Sequence, residues 1–211
     1  MTAGLSGDLQ QIDAARKTAI IDAELHRLDI DIAALQETRL ADNGSITETH
    51  YTFFWQGKTL DDRRELGVGF AVRNSLLSMI EPPTGGSERI FTLRLSTSSG
   101  PVNIVTAYAP TLYSNPDVKD QFYNALDHTI GMLTPSEHIY LLGDFNARVG
   151  AEHNTWPTCI GHHGVGKINE NGERLLELCC NRNLCVTNTY FQVKQKHRVS
   201  FMHPRSRQWH Q

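Results

Sequence analysis

The stretch Ile139-Tyr140-Leu141-Leu142-Gly143-Asp144-Phe145-Asn146-Ala147 decides how this chain is read, because an apolar run passes directly into a carboxylate and an amide. An apolar run of this length bounded by glycine predicts a core strand. Asp144 and Asn146 follow two apart, the spacing at which strand residues point to one side. An acid and an amide at the end of a buried strand are predicted to share a cleft.

Outward from this segment, the same layout occurs a second time. Asp31-Ile32-Ala33-Ala34-Leu35 predicts a short buried strand that delivers Gln36, Glu37 and Thr38 at its end. Ahead of it, Ile12, Ala15, Ala19, Ile20, Ala23 and Leu28 recur at helical spacing, predicting an amphipathic helix from Asp8 to Leu28 with Ser6 and Asp8 as caps. Between the two layouts the period becomes that of β structure, over Tyr51 to Gln56, Gly67 to Arg73, Ile90 to Ser96 and Val102 to Ala107. Turns at Gly85-Gly86-Ser87 and Ser98-Ser99-Gly100-Pro101 predict antiparallel pairing of successive strands. Phe122, Leu126, Ile130 and Leu133 predict a second helix, and Leu175, Leu176, Leu178 and Cys179 a third, after an Asn171-Gly172 cap region. Leu184 to Thr189 is predicted as a last strand. The order reads as an α/β domain of two sheets with helices outside, without repeats or linkers.

Composition sets bounds. A chain of 211 residues with 39% hydrophobic content suffices for one packed domain. No apolar run has the length of a membrane span, and Met1 to Gln11 lacks a basic-then-apolar leader pattern, so an intracellular protein, nuclear or cytoplasmic, is expected. Its 4 cysteines, two of them adjacent on a predicted helix, are expected as reduced thiols, with no disulfides. Cys159, His162, His163, Cys180 and Cys185 lack the short paired spacing of a structural zinc site. Net charge is −3, against binding nucleic acid by bulk electrostatics alone. Yet no Asp or Glu follows Glu177, while Arg182, Lys194, Lys196, Arg198, Arg205 and Arg207 do, making this end a basic patch candidate.

Glu37, Tyr108, Asp144 and Asn146 each fall just beyond the carboxyl end of a predicted strand, where loops of layered α/β proteins form clefts. Carboxylates and an amide are hard oxygen ligands suited to Mg²⁺ or Mn²⁺, and such an ion polarises phosphoryl oxygens. Singly, each residue also has a plain structural role: Glu37 can pair with Arg39, Asp144 and Asn146 can shape an Asx turn, and Tyr108 can be a strand-end aromatic.

Leu35-Gln36-Glu37-Thr38, Thr106-Ala107-Tyr108-Ala109-Pro110 and Leu142-Gly143-Asp144-Phe145-Asn146-Ala147, in this order, resemble the endonuclease/exonuclease/phosphatase superfamily. More closely, the chain is similar to endonuclease domains of non-LTR, LINE-type retrotransposons and to the craniofacial development protein 2 group. Gly172-Glu173-Arg174-Leu175-Leu176-Glu177-Leu178 and His203-Pro204-Arg205-Ser206-Arg207-Gln208-Trp209-His210 support the resemblance, which covers nearly the whole chain. It implies a four-layer α/β sandwich, two packed mixed β-sheets flanked by helices, over residues 1–211.

By this resemblance Glu37 is the metal-ligating glutamate, Asp144 orients or deprotonates the attacking water and contributes to the metal site with Asn146, and Tyr108 contacts the phosphate. Arg205, Arg207 and Trp209 are implied as nucleic-acid contacts in a monomer that acts on DNA with Mg²⁺ or Mn²⁺. The family's opening strand with its asparagine, and its closing strands with an aspartate and an Asp-His pair, have no counterpart. None of the 10 histidines substitutes for the last of these: His162 and His163 read as loop residues, and His203 and His210 precede the position. A domain truncated at both ends, with terminal strands missing and weak or no activity alone, is therefore expected. The alternatives are a domesticated, non-catalytic DNA- or protein-binding module and an inositol or lipid phosphatase of the same fold.

Overall fold

The computed structural model describes residues 17–63, 65–83, 85–194, 201–202 and 209–210. The chain divides into two compact units, Met1–Tyr108 with Leu133–Asp144, and Ala109–Met132 with Phe145–Gln211.

The first unit holds two four-stranded sheets. Its opening helix, α1, is described over 17–27. The first sheet contains β1 (Ile32–Gln36), β2 (Asn43–Thr47), β3 (Tyr51–Gln56) and β4 (Val68–Arg73) in the order β1-β4-β3-β2, every pairing antiparallel. The second contains β5 (Ile80–Glu81), β6 (Ile90–Thr97), β7 (Gly100–Tyr108) and β8 (His138–Asp144) in chain order. Here β5, β6 and β7 are antiparallel neighbours, whereas β8 lies parallel to β7. Parallel neighbours need a long crossover, and the chain passes through a helix between these two strands.

Alternation along the strands explains how the sheets pack. Val68, Phe70 and Val72 of β4 present one face to Phe91 and Leu93 of β6 and Ile104 of β7, forming the core between the sheets. The opposite face of the first sheet, with Tyr51, Phe53 and Ala71, is covered by Leu25 of α1. Asp22 of α1 accepts from the backbone N–H groups of His50 and Tyr51, which fixes the helix on the β2–β3 turn. Phe70 has no exposed surface, and its truncation to alanine is worth about 3–5 kcal/mol.

One strand of the first sheet was not expected, and one of the second is placed differently. β2, with the sequence Asn-Gly-Ser-Ile-Thr, lacks the apolar alternation of a half-buried strand, and it forms because β3 offers it an edge. β8, expected as a core strand, is the last strand of its sheet and only half covered, leaving Tyr140 59% and Leu142 39% exposed. An apolar run does not reveal whether both faces of a strand find a partner.

The second unit is built on α2 (Pro116–Gly131) and α3 (Glu170–Asn181). Asn115 caps α2 by accepting from the N–H of Asp117, with Pro116 in the first turn, and Phe122, Leu126 and Ile130 form its buried stripe. α3 is capped by Asn169, which accepts from Gly172 N–H, two residues earlier than the Asn171-Gly172 expectation. The helices are tied by ion pairs of Arg174 with Asp120, Arg182 with Asp127, and the buried Lys119 with Glu170. The strand expected over Leu184 to Thr189 is instead a parallel bridge of Val186 to Ile160 followed by a 3-10 turn, Thr187–Thr189. The Thr189 hydroxyl donates to Val186 O and accepts from Gly161 N–H, a local bond that competes with a ladder. β9 (Phe201–Met202) and β10 (Trp209–His210) pair antiparallel.

The expectation of reduced thiols without disulfides does not hold for Cys159 and Cys180, which form a disulfide with a Cα–Cα distance of 6.0 Å. Adjacent residues on a helix point about 100° apart. Cys179 therefore turns into the core while Cys180 faces the turn carrying Cys159. Among the described residues no helix is long and apolar enough to cross a membrane.

Candidate functional site

Three of the sequence-selected residues lie together in the first unit. Tyr108 and Asp144 end β7 and β8, and the parallel register places them opposite one another. Glu37 follows β1 in the other sheet, and the Tyr108 hydroxyl donates to Glu37 Oε1 at 3.0 Å. Just before these residues, Gln36 Nε2 donates to Thr106 Oγ1 at 2.9 Å, tying the ends of β1 and β7 across the two sheets. Gln36 and Thr106 are 70 positions apart in sequence, and the packed layers bring them together.

Glu37 is held at φ 53°, in the left-handed region, as are Arg39 and Asp42 after it. Such backbone is costly for residues with a side chain and persists where the surroundings fix it. Here Thr38 N–H and Arg39 N–H donate to the carbonyls of Gly67 and Leu66, which fixes the turn against the start of β4. The other Glu37 oxygen, Oε2, accepts from Arg39 Nη2 at 2.9 Å, the ion pair that sequence reading offered as the plain role of Glu37.

Burial pushes the Tyr108 phenol up, and the Glu37 hydrogen bond and the charges of Glu37 and Asp144 push it further, opposed by Arg89. Tyr108 is thus a neutral hydrogen-bond donor to Glu37 that also feels the charge of Asp144. Arg89 was not selected from the sequence, where it is one arginine among many. Its guanidinium lies 5.5 Å from the centre of the Tyr108 ring and donates to Tyr108 O at 2.9 Å, while Arg89 O accepts from Tyr108 N–H. The signal was present only in the antiparallel pairing of β6 with β7, which puts Arg89 beside Tyr108.

Asn146 belongs to the second unit. The alternation that aligned it with Asp144 stops with β8, and Asn146 takes φ 47°. Its Nδ2 donates to Ala109 O at 3.0 Å. Trp209 lies in β10, while Arg205 and Arg207 lie outside the described residues. Among the described residues no three His, Cys, Asp or Glu side chains gather as a metal cluster. Glu37 and Asp144, both solvent-exposed hard donors beside a hydroxyl, are the pair suited to Mg²⁺, which takes one or two carboxylates and fills its shell with water and phosphate oxygen.

Residues 7–193 match the endonuclease/exonuclease/phosphatase family, and the chain belongs to this family. Among curated proteins it is similar to craniofacial development protein 2 of Bos taurus, 27% identical over 192 residues, covering 90% of this chain and 32% of the relative. The same protein of Tragulus javanicus is 26% identical over 192 residues, with 90% and 33% covered. The chain thus spans about a third of the length of these relatives. Among solved structures it resembles the endonuclease domain of TRAS1, a telomere-specific non-LTR retrotransposon, at a TM-score of 0.50 and 13% identity, covering 76% of this chain and 62% of that one. At that identity the likeness concerns the fold.

Proposed function

We propose that this chain is a divalent-metal-dependent phosphodiester hydrolase acting on DNA. The observation that carries the reading is the Glu37–Tyr108 hydrogen bond with Asp144 opposite Tyr108 in the strand register. Mg²⁺ or Mn²⁺ held by Glu37, with Asp144 and Asn146 contributing, would supply positive charge for the phosphoryl oxygens. The chain's own groups do the rest. Asp144, a carboxylate open to solvent, accepts a hydrogen bond from water and takes its proton as the water oxygen attacks phosphorus and the ester oxygen leaves. Tyr108, kept protonated by its neighbours, would turn its one hydroxyl proton from Glu37 Oε1 to a non-bridging oxygen once Glu37 takes up the metal, and Arg89 holds its backbone and ring in place. Asn146 serves as a second donor to the water or the phosphate, and Arg205, Arg207 and Trp209 are proposed to contact the nucleic-acid backbone.

A second reading, a non-catalytic module that keeps DNA contacts, is favoured by one observation: both Glu37 oxygens are already engaged, by Tyr108 and Arg39. Plasmid nicking separates the two. Supercoiled DNA converted to the nicked form with Mg²⁺ by the wild-type chain and not by Asp144→Ala supports the hydrolase. DNA retention that falls with salt, without nicking, supports the module, and release of phosphate from inositol phosphates would point to the phosphatase branch instead.

A further inference from the structure

The first turn of α3 contains a buried amide whose placement is not explained by helix capping. Asn171 has no exposed surface, and the capping of α3 is done by Asn169. Asn171 Nδ2 instead donates to two main-chain carbonyls, Pro110 O at 2.9 Å and Asn146 O at 3.1 Å. These two carbonyls belong to the segments that directly follow β7 and β8. Both acceptors are carbonyls, so the amide orientation is settled: a flipped Asn171 would face oxygen with oxygen. Its Oδ1 is left without a hydrogen-bond partner among the described residues. Both bonds of its Nδ2 group run to carbonyls outside the helix, so its role lies in what that group holds rather than in stabilising the helix.

The neighbouring residues serve the same segment. Asn169 Oδ1 accepts from Arg148 N–H at 3.0 Å, and Asn169 N–H donates to Arg148 O at 3.0 Å. Gly172 lies so close that a Cβ there would meet Arg148 O at 1.9 Å, so only glycine lets the turn approach. Asn169, Asn171 and Gly172 therefore form a cradle for residues 146–148. Asn146, in the left-handed region at φ 47° that asparagine tolerates, opens this segment, with its own Nδ2 on Ala109 O.

We propose that Asn171 is a positioning residue for Asn146: by clamping the Asn146 and Pro110 carbonyls together it fixes the left-handed turn that presents the Asn146 amide for phosphodiester hydrolysis. The inference rests on the hydrolase reading for its consequence and on the hydrogen-bond geometry for its substance. Loss of a group that orients a functional side chain typically lowers activity by about 10- to 100-fold.

The test is a double-variant cycle on the full chain with Mg²⁺ and supercoiled plasmid. Asn171→Ala is expected to lower kcat of nicking about 10- to 100-fold with KM changed by no more than about twofold. In the Asn146→Ala background the same change should add no further loss, because both act through one amide. Asn171→Ser, which keeps one donor, should recover part of the rate; it also replaces Asn171→Ala if that variant does not fold. Losses that multiply, or a raised KM at unchanged kcat, overturn the proposal. Independently of activity, hydrogen exchange at residues 146–148 should accelerate in the variant while β6 and β7 keep wild-type protection. Unchanged exchange at 146–148 overturns the proposal as well. A wild-type chain that does not nick would remove the hydrolase reading and leave exchange to decide the positioning claim.

Discussion

The Tyr108 hydroxyl reaches across from one sheet to the other and donates to Glu37 Oε1 at 3.0 Å, so the ends of β7 and β1 share a proton donor. The bond joins residues 71 positions apart in sequence. Arg89 holds the Tyr108 carbonyl and lies over its ring, which keeps the phenol at this end of the two sheets.

Replacing Tyr108 by phenylalanine removes the donor and leaves the ring. Under the proposed function, nicking is expected to fall about a hundredfold or more, in the range seen when one preorganised donor is lost. The circular dichroism spectrum should be unchanged. A variant as fast as wild type would remove Tyr108 from the site.

Stability should fall at alkaline pH. Burial and neighbouring carboxylates raise the Tyr108 phenol, burial raises Tyr51 and Tyr123, and burial pushes the Cys179 thiol up to about 11. Each group keeps its proton in the folded chain at a pH where the unfolded chain has released it. The stability this provides is present below the unfolded values, about 8.5 for cysteine and 10 for tyrosine, and is lost as pH rises from there through the folded values. Urea midpoints should therefore decline above about pH 9, and the decline should be shallower in Tyr108→Phe. A midpoint that rises over this interval contradicts the assignment.

Gly143 immediately precedes Asp144 with φ 149°, and a Cβ there would sit 1.9 Å from Ala107 O. Gly143→Ala must push β8 away from β7. A loss of about 2–4 kcal/mol in chemical denaturation is expected, in the upper range for single substitutions. Nicking should fall too, since the same shift separates Asp144 from Tyr108. A loss under half of this would show that the ladder yields without strain.

The two free thiols should differ in reactivity. Cys185 is exposed, whereas Cys179 is buried with its thiol pushed up to about 11. The thiolate is the reactive form, so at pH 8 one group should label rapidly and the second only on unfolding. After unfolding in reductant, Cys159 and Cys180 should add to the count, as read by mass spectrometry. Rapid labelling at Cys159 in the folded, unreduced protein would contradict its pairing with Cys180.

Much of the fold was legible because period and punctuation agree. The alternation of Phe91, Leu93 and Leu95 marks β6, the apolar stripe of Phe122, Leu126 and Ile130 marks α2, and Glu37, Tyr108 and Asp144 follow apolar strands at their carboxyl ends. What failed were features that depend on partners. β2 carries no apolar pattern of its own and is recruited by β3. The segment ending at Thr189 had the composition of a strand, yet a threonine hydroxyl diverted its backbone into a turn. Asn171 reads as a cap and serves instead as a clamp on carbonyls distant in sequence.

Sequence by itself determined most of the strands and helices, β1, β3, β4, β6, β7, α2 and α3 among them, and the polar residues at the ends of β1, β7 and β8, because side-chain period and turn residues act over a few neighbouring positions. Tertiary structure alone decided that β8 lies parallel to β7 and brings Asp144 opposite Tyr108, that Arg89 supports the phenol, and that Cys180 meets Cys159. These are choices of partner, and a partner is selected by burial and hydrogen bonding over the whole layer, a sum that no local stretch of residues contains.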